Sequence, residues 1–274
     1  MSDDVTGCIH ETAIVDPLAK LGSEVNVGPY SIVEKDVEVG DGCLLEAHSI
    51  LKKGTRLGSE CRVGNFAVLG GDPQYLAFDP EISSSVVVGR GTRIGEGVTV
   101  HRSINQGGET IVGEQVFLMG YSHVAHDCLV GDHVSVANGC LLAGHVELGD
   151  HAFLGGGAAF HQFVRVGEGA MVGGMAEVSA DVPPFLLVTG RSLASGLNLV
   201  GLKRRGFSAE EIGDLKACFR SVYAREGNVR EHAGKALLDE ELALTSHGRK
   251  FLEFFLKGDR GFAKLRKNLG NDAA

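Results

Sequence analysis

Aliphatic residues recur at every sixth position over most of the chain. From Ile9, positions 15, 21, 27, 33, 39, 45, 51, 57, 63 and 69 hold Val, Leu, Val, Val, Val, Leu, Leu, Leu, Val and Leu. The register returns at Val88, Ile94 and Val100, then runs in sixes from Val112 to Val178, with Phe160 as its aromatic exception. Glycine follows the aliphatic residue at 22, 28, 40, 58, 64 and 70. A period of six fits neither the 3.6 of an amphipathic helix nor the 2 of a two-faced strand. It fits a coil whose flat sides are one hexapeptide long, with the aliphatic side chain pointing inward onto its equivalent in the next coil. The small residue after it is expected to permit the turn into the next side. Chance alternation in a β-sandwich would not keep phase over this distance.

The breaks in the period mark loops. Leu69 to Val88 is not a multiple of six, so 71–85 is expected to leave the coil. Between Val100 and Val112 the phase survives, but polar Gln106 falls in the inward slot, which predicts a second loop over 101–111. Loops thrown out from a rigid solenoid are usual places for function. After Val178 the pattern ends at ADVPPF, where Pro183 and Pro184 are expected to stop regular structure. Ser208-Ala-Glu-Glu211 reads as a capping box opening a helix that Gly227 closes. Further helices are expected near 229–244, 247–257 and 260–268. Their apolar residues (Leu237, Leu238, Leu242, Phe251, Phe254, Phe255, Phe262, Leu265) suit packing on one another and on the solenoid end. The expected organisation is a β-helix domain over 1–190 and a helical domain over 191–274, which caps the last coil.

Composition adds limits. The chain has 274 residues, with 40 Gly, 6 Pro and no Trp, as many tight turns at regular spacing require. A net charge of −9 argues against a nucleic-acid partner held by a general electrostatic surface. The six scattered cysteines form no CxxC pair and read as reduced and mostly buried. The opening MSDDVTG has neither the basic nor the apolar region of a secretory signal, and no apolar run is long enough to span a membrane, so a cytoplasmic location is expected.

Candidate chemistry gathers in the second half. Residues eighteen apart stack in a coil of three hexapeptides, so His126 should lie over Gly144, beside His145, with His161 and Gln162 one coil further. Histidine is the usual general base near neutral pH, and Asp127 could orient it. Taken singly, each histidine is more often an exposed turn residue; their alignment on one edge favours function. A metal site is weighed and set aside: the γ-class carbonic anhydrases carry two His five residues apart, and no such pair occurs here. Lys203, Arg204 and Arg205 in GLKRRGF suit phosphate contacts near an active edge, against the alternative of a solvated turn.

The segments HVAHDC (123–128), AGHVELGD (143–150), HQF (161–163), DVPP (181–184) and NLVGLKRRGFS (198–208) resemble the UDP-N-acetylglucosamine O-acyltransferases that begin lipid A synthesis. The resemblance covers nearly the whole chain. It implies a left-handed parallel β-helix with a C-terminal α-helical domain, assembled as a homotrimer with sites between subunits. It implies transfer of a 3-hydroxyacyl chain from acyl carrier protein to the 3-position of a UDP-sugar, with no cofactor, because the thioester is already activated. By matching motifs, His126 would be the general base, Asp127 its orienting partner and the Gly144 N–H the oxyanion donor. His123, His145, His161 and Gln162 would bind sugar, diphosphate and pantetheine arm, and Asn198, Arg204 and Arg205 the nucleotide side. Gly174 would set the acyl-chain length, with Met175 next in line.

The departures fall mainly in the first loop. Familiar members read NQDLKY where this chain has PQYLAF: Gln74 is kept, while Tyr75 and Ala77 replace an acid and a lysine. Ser192 stands in place of a His and Val200 in place of a Glu. These changes are expected around the acceptor, whose nucleophile is either a 3-hydroxyl or a 3-amino group. The related N-acyltransferase carries an extra N-terminal domain for which a repeat starting at Ile9 leaves no room. The GLKRRGF tail speaks against an acetyl-CoA enzyme, and a scaffold without activity would need no His126 beside a glycine.

Overall fold

The computed structural model describes residues 7–225 and 227–266. Short parallel strands stack into three sheets of nine, eight and eleven strands that form the flat sides of a β-helix. Uninterrupted coils advance by eighteen residues: His123 pairs with Leu141 and Leu141 with Ala159. The aliphatic column from Val27 to Val178 is buried throughout, whereas Ile9, Val15 and Leu21 of the first coil are less covered. A second inward column, two residues earlier in each repeat, takes smaller side chains. It holds Cys43, Cys61, Cys128 and Cys140, all buried and unpaired. Each fully buried Val or Leu contributes about 1.5–3 kcal/mol, which offsets the ordering of so many two-residue strands.

Glycine after the aliphatic residue, Gly70 with its φ of 80° apart, has a different role from the one expected. Gly22 and Gly40 keep ordinary φ, but an added Cβ would lie 2.4 and 2.6 Å from atoms of the next coil. Close approach between coils therefore demands glycine there. The turn itself is made two residues later, where Asp127, His145 and Phe163 adopt φ of 59°, 60° and 65°. The first loop occupies 72–84, between strands Val68–Gly71 and Ser85–Val88. The second is narrower than expected, lying between strands Thr99–His101 and Glu109–Val112. Gln106 is exposed, not inward, and its Oε1 accepts from the Ser83 N–H at 2.9 Å, joining the two loops.

Pro183 and Pro184 do not end the stack. Strand Leu186–Thr189 continues it on Met171–Val172, and Leu193–Leu197 folds back antiparallel. Lys264–Leu265 then joins the same sheet where a helix over 260–268 was expected; 267 and 268 lie outside the described residues. This sheet crosses the expected boundary at 190/191. The helices are α1 (Leu199–Arg204), α2 (Ala209–Tyr223), α3 (Val229–Ala236) and α4 (Ser246–Glu253). Helix α1 falls where no helix was expected. Helix α2 opens with the capping box of Ser208 and Glu211. Helix α3 stops well short of 244, and a 3₁₀ turn, Phe254–Leu256, extends α4. Phe251 and Phe255 are fully buried in the cap, but Leu238 is 86% exposed. Among the described residues no helix is long and apolar enough to cross a membrane.

Candidate active site

The turn from strand His123–Val124 to strand Leu129–Val130 carries His126 and Asp127. The His126 Nδ1–H donates to Asp127 Oδ2 at 2.8 Å, and both side chains are about nine-tenths buried. With Nδ1 so occupied, the lone pair on Nε2 is free to take a proton. The second loop wraps the carboxylate: the Ser103 hydroxyl and Asn105 Nδ2 donate to Oδ1, and the Ile104 N–H donates to Oδ2. The Asp127 N–H donates in turn to Thr110 Oγ1 at 2.8 Å. Burial pushes the Asp127 carboxyl upward, but the bonds from Ser103, His126, Ile104 and Asn105 prevail and hold it below its ordinary value. Ser103, Ile104 and Asn105 were missed in the sequence. Their only signal was the doubled spacing from Val100 to Val112.

One coil on, Gly144 lies against the His126 ring: a Cβ there would stand 2.4 Å from Cε1 and 2.6 Å from Nε2. Among the described residues the Gly144 N–H finds no acceptor. His145 stands edge-on to His126 with ring centroids 5.1 Å apart and stacks on Phe163 at 4.6 Å. Its Nε2 is 3.9 Å from Asp127 Oδ2.

A groove of about 490 Å³ opens beside this turn, lined by Gln74, His101, His123, His126, Gly144 and Gln162 over an apolar floor that includes Leu141 and Ala159. Nδ1 of His123 lies 2.7 Å from Thr99 Oγ1. His101, also missed in the sequence, is buried and stands edge-on to His123 at 4.8 Å. Burial, then His123 and His126, pushes the His101 imidazole down to about 4. Burial likewise lowers His123, with His126 adding to the effect. For His145, burial and His126 outweigh the opposing pull of Asp127. His101, His123 and His145 are therefore neutral near pH 7.

His126, Asp127 and His145 bring one ligand atom each within 4.8 Å of one another, the spacing of a metal site. All four lone-pair positions of the Asp127 carboxylate already accept hydrogen bonds, however, so a metal would have to break that shell. The arrangement suits proton transfer.

The other expected residues divide. His161 sits exposed at the same edge, and its Nδ1 is 2.6 Å from Arg260 Nη2. Asn198 is occupied structurally: its Oδ1 caps α1 by accepting from the Gly201 N–H, and its Nδ2 donates to the Gly169 carbonyl. Arg205 is paired with Glu168, which also holds Lys250. Arg204 is exposed and pairs with no described carboxylate. Gly174 is exposed at the edge on the far side of the Leu141–Ala159 face, where an added Cβ would lie 3.3 Å from the Gly156 carbonyl oxygen. Met175 beside it is 82% exposed. Ser192 is buried, and its Oγ accepts from the Ser179 and Ala180 N–H groups. Tyr75, Ala77 and Val200 are exposed.

Residues 181–263 match the family model described as Udp N-acetylglucosamine O-acyltransferase, domain 2, and 109–144 match the bacterial transferase hexapeptide model. An acyl-[acyl-carrier-protein]–UDP-N-acetylglucosamine O-acyltransferase of Halorhodospira halophila is 42% identical over 93% of this chain and 99% of its own. One from Thermodesulfovibrio yellowstonii is 40% identical over the same shares. Among solved structures, the UDP-N-acetylglucosamine acyltransferase of Campylobacter jejuni superposes with a TM-score of 0.88 at 35% identity, covering 94% of this chain and 100% of that one. The Francisella novicida enzyme gives 0.87 at 31%, covering 95% of each. The fold is thus the left-handed hexapeptide β-helix with a helical C-terminal domain. Sequence and architecture agree over almost the entire length, and the chain belongs to the UDP-N-acetylglucosamine O-acyltransferase family.

Proposed function

We propose that this protein transfers a 3-hydroxyacyl chain from acyl carrier protein to the 3-position of UDP-N-acetylglucosamine or its 3-amino analogue, the first step of lipid A biosynthesis. The observation that carries the mechanism is the buried His126–Asp127 pair packed against Gly144, whose N–H has no acceptor among the described residues, beside an apolar-floored groove. His126 Nε2 takes the proton from the attacking 3-hydroxyl or 3-amino group as its lone pair forms a bond to the thioester carbonyl carbon. The developing oxyanion accepts from the Gly144 N–H. The intermediate collapses by breaking the C–S bond, and the thiolate leaves with the proton held on Nε2. Asp127 keeps the imidazole in the required tautomer and stabilises its charged form. Gln74, His123, His145, His161 and Gln162 orient the substrates, joined by His101.

The acyl chain lies across the Leu141–Ala159 face toward Gly174, a flat side of six residues that spans at most about 20 Å. Arg204 takes the nucleotide role. Asn198 contributes by capping α1, and Arg205 by pairing through Nη2 with Glu168, while its buried Nη1 finds no partner among the described residues. A homotrimer is part of the proposal. Tyr30, Phe66, Tyr121 and Met175 leave 58, 62, 73 and 82% of their surface exposed at one kind of turn, and a neighbouring subunit would cover such residues and deepen the open groove. The cytoplasm, where carrier-protein thioesters are available, is the proposed location. The test is mass spectrometry of products from purified protein, a panel of 3-hydroxyacyl carrier proteins, and both UDP-sugars. Absence of any acyl-sugar product would refute the reading, and light scattering that shows an active monomer would refute the trimer.

A further inference from the structure

The segment after the 3₁₀ turn returns to the β-helix before its strand Lys264–Leu265, and one of its side chains reaches the catalytic edge. Arg260 Nη2 lies 2.6 Å from Nδ1 of His161. A guanidinium is permanently charged and only donates, so Nδ1 of His161 must be the acceptor and the imidazole proton must sit on Nε2. His161 has another option. Its Nδ1 is 3.3 Å from the Gln162 carbonyl oxygen, which would accept an Nδ1–H and reverse the tautomer. Arg260 therefore selects between two states of His161.

The surroundings of Arg260 are not those of a simple structural tie. It lines a cavity of about 560 Å³ together with Asp127 and His145, and the acidic Glu147 and Asp259 line the same space. Yet no described carboxylate forms an ion pair with it, and its buried Nε finds no acceptor among the described residues. Arg165, Arg205 and Lys250, by contrast, are each paired with an acid.

We propose that Arg260 is a positioning residue of the acyl-transfer site. It fixes His161 with its proton on Nε2, so that His161 donates to a phosphate oxygen of a substrate bound beside His126. Both the UDP-sugar and the phosphopantetheine arm of the carrier bring such an oxygen. The inference rests on the acyltransferase reading above.

The test uses the full chain. Long-range ¹⁵N NMR of the imidazoles reads the tautomer of His161 directly, with His161→Ala as the assignment control. Wild type should show Nε2–H, and Arg260→Ala should shift His161 toward Nδ1–H. In steady-state assays Arg260→Ala should raise the KM of one substrate about ten-fold, the scale of one lost hydrogen bond, with kcat nearly unchanged. A rise in the UDP-sugar KM identifies the diphosphate as the source, and a rise in the carrier KM identifies the pantetheine phosphate. Arg260→Lys should restore part of the loss. In a His161→Ala background Arg260→Ala should add little, because the two act as one unit. An Nδ1–H tautomer in wild type, additive losses in the double variant, or a lower Tm with both KM values intact would each overturn the proposal. Wild type that acylates neither sugar would refute the function and leave the tautomer measurement as the test of Arg260.

Discussion

Replacing Gly144 by alanine tests the catalytic turn at its tightest point. The added Cβ would stand 2.4 Å from His126 Cε1, 2.6 Å from Nε2 and 3.0 Å from Nδ1, where ordinary contact begins near 3.4 Å. The ring must retreat by about 1 Å. Gly144 does not have a left-handed φ, so the backbone adds no strain of its own. The ring cannot retreat freely, because Nδ1 is tied to Asp127 at 2.8 Å and the side chain is buried. Overpacking of this kind costs about 1–3 kcal/mol. A 1 Å displacement of a catalytic group lowers turnover by about 10²-fold. Initial rates of transfer from a carrier-protein thioester, alongside thermal melts, should show both effects. If Gly144→Ala keeps kcat within about three-fold of wild type, then either the ring position does not matter to the chemistry or His126 is not the base. A lower Tm with normal kcat would reduce the contact to packing.

Four further outcomes are expected. His126→Ala should lower turnover by about 10²–10⁴-fold, and near-normal turnover would remove it from the mechanism. Gly174→Met should move preference toward shorter acyl chains in competition assays, since filling that gap costs about 1–3 kcal/mol; an unchanged length profile would transfer the role to Met175. Arg205→Ala should lower Tm by removing one of the two cations that hold the partly buried Glu168, whereas Arg204→Ala should weaken UDP-sugar binding by about 1.5–3 kcal/mol with Tm unchanged; the reverse pattern would exchange their roles. The His101 imidazole titrates near 4 when folded and near 6.5 when unfolded. Above pH 6.5 both states are neutral; between 6.5 and 4 only the unfolded state gains the proton, so stability falls with pH across that window, by on the order of 1–3 kcal/mol. Urea titrations of wild type and His101→Gln should show a smaller pH slope in the variant.

The sequence by itself determined the β-helix, because an inward aliphatic residue every sixth position permits few other structures and the period is visible without knowing any contact. It also placed His126 over Gly144, since a coil of eighteen residues turns sequence spacing into spatial position. Where the period was broken, that conversion failed. The Val100–Val112 loop was legible as a loop, but its closure on Asp127 through Ser103, Ile104 and Asn105 depends on tertiary packing with no repeat to signal it. The tail shows the same limit. Pro183 and Pro184 read as a stop, yet Leu186–Thr189 pairs onto the stack, because the exposed edge of Met171–Val172 offers hydrogen bonds that outweigh local propensity. Lys264–Leu265 became a strand by the same edge pairing. The charged motif at 203–205 announced cations, but only the fold decided that Arg205 would meet Glu168 while Arg204 faced solvent. Arg260 stood in no motif. It reaches His161 because the helical cap folds back on the coil ninety-nine residues earlier in the chain, a contact that sequence spacing does not encode.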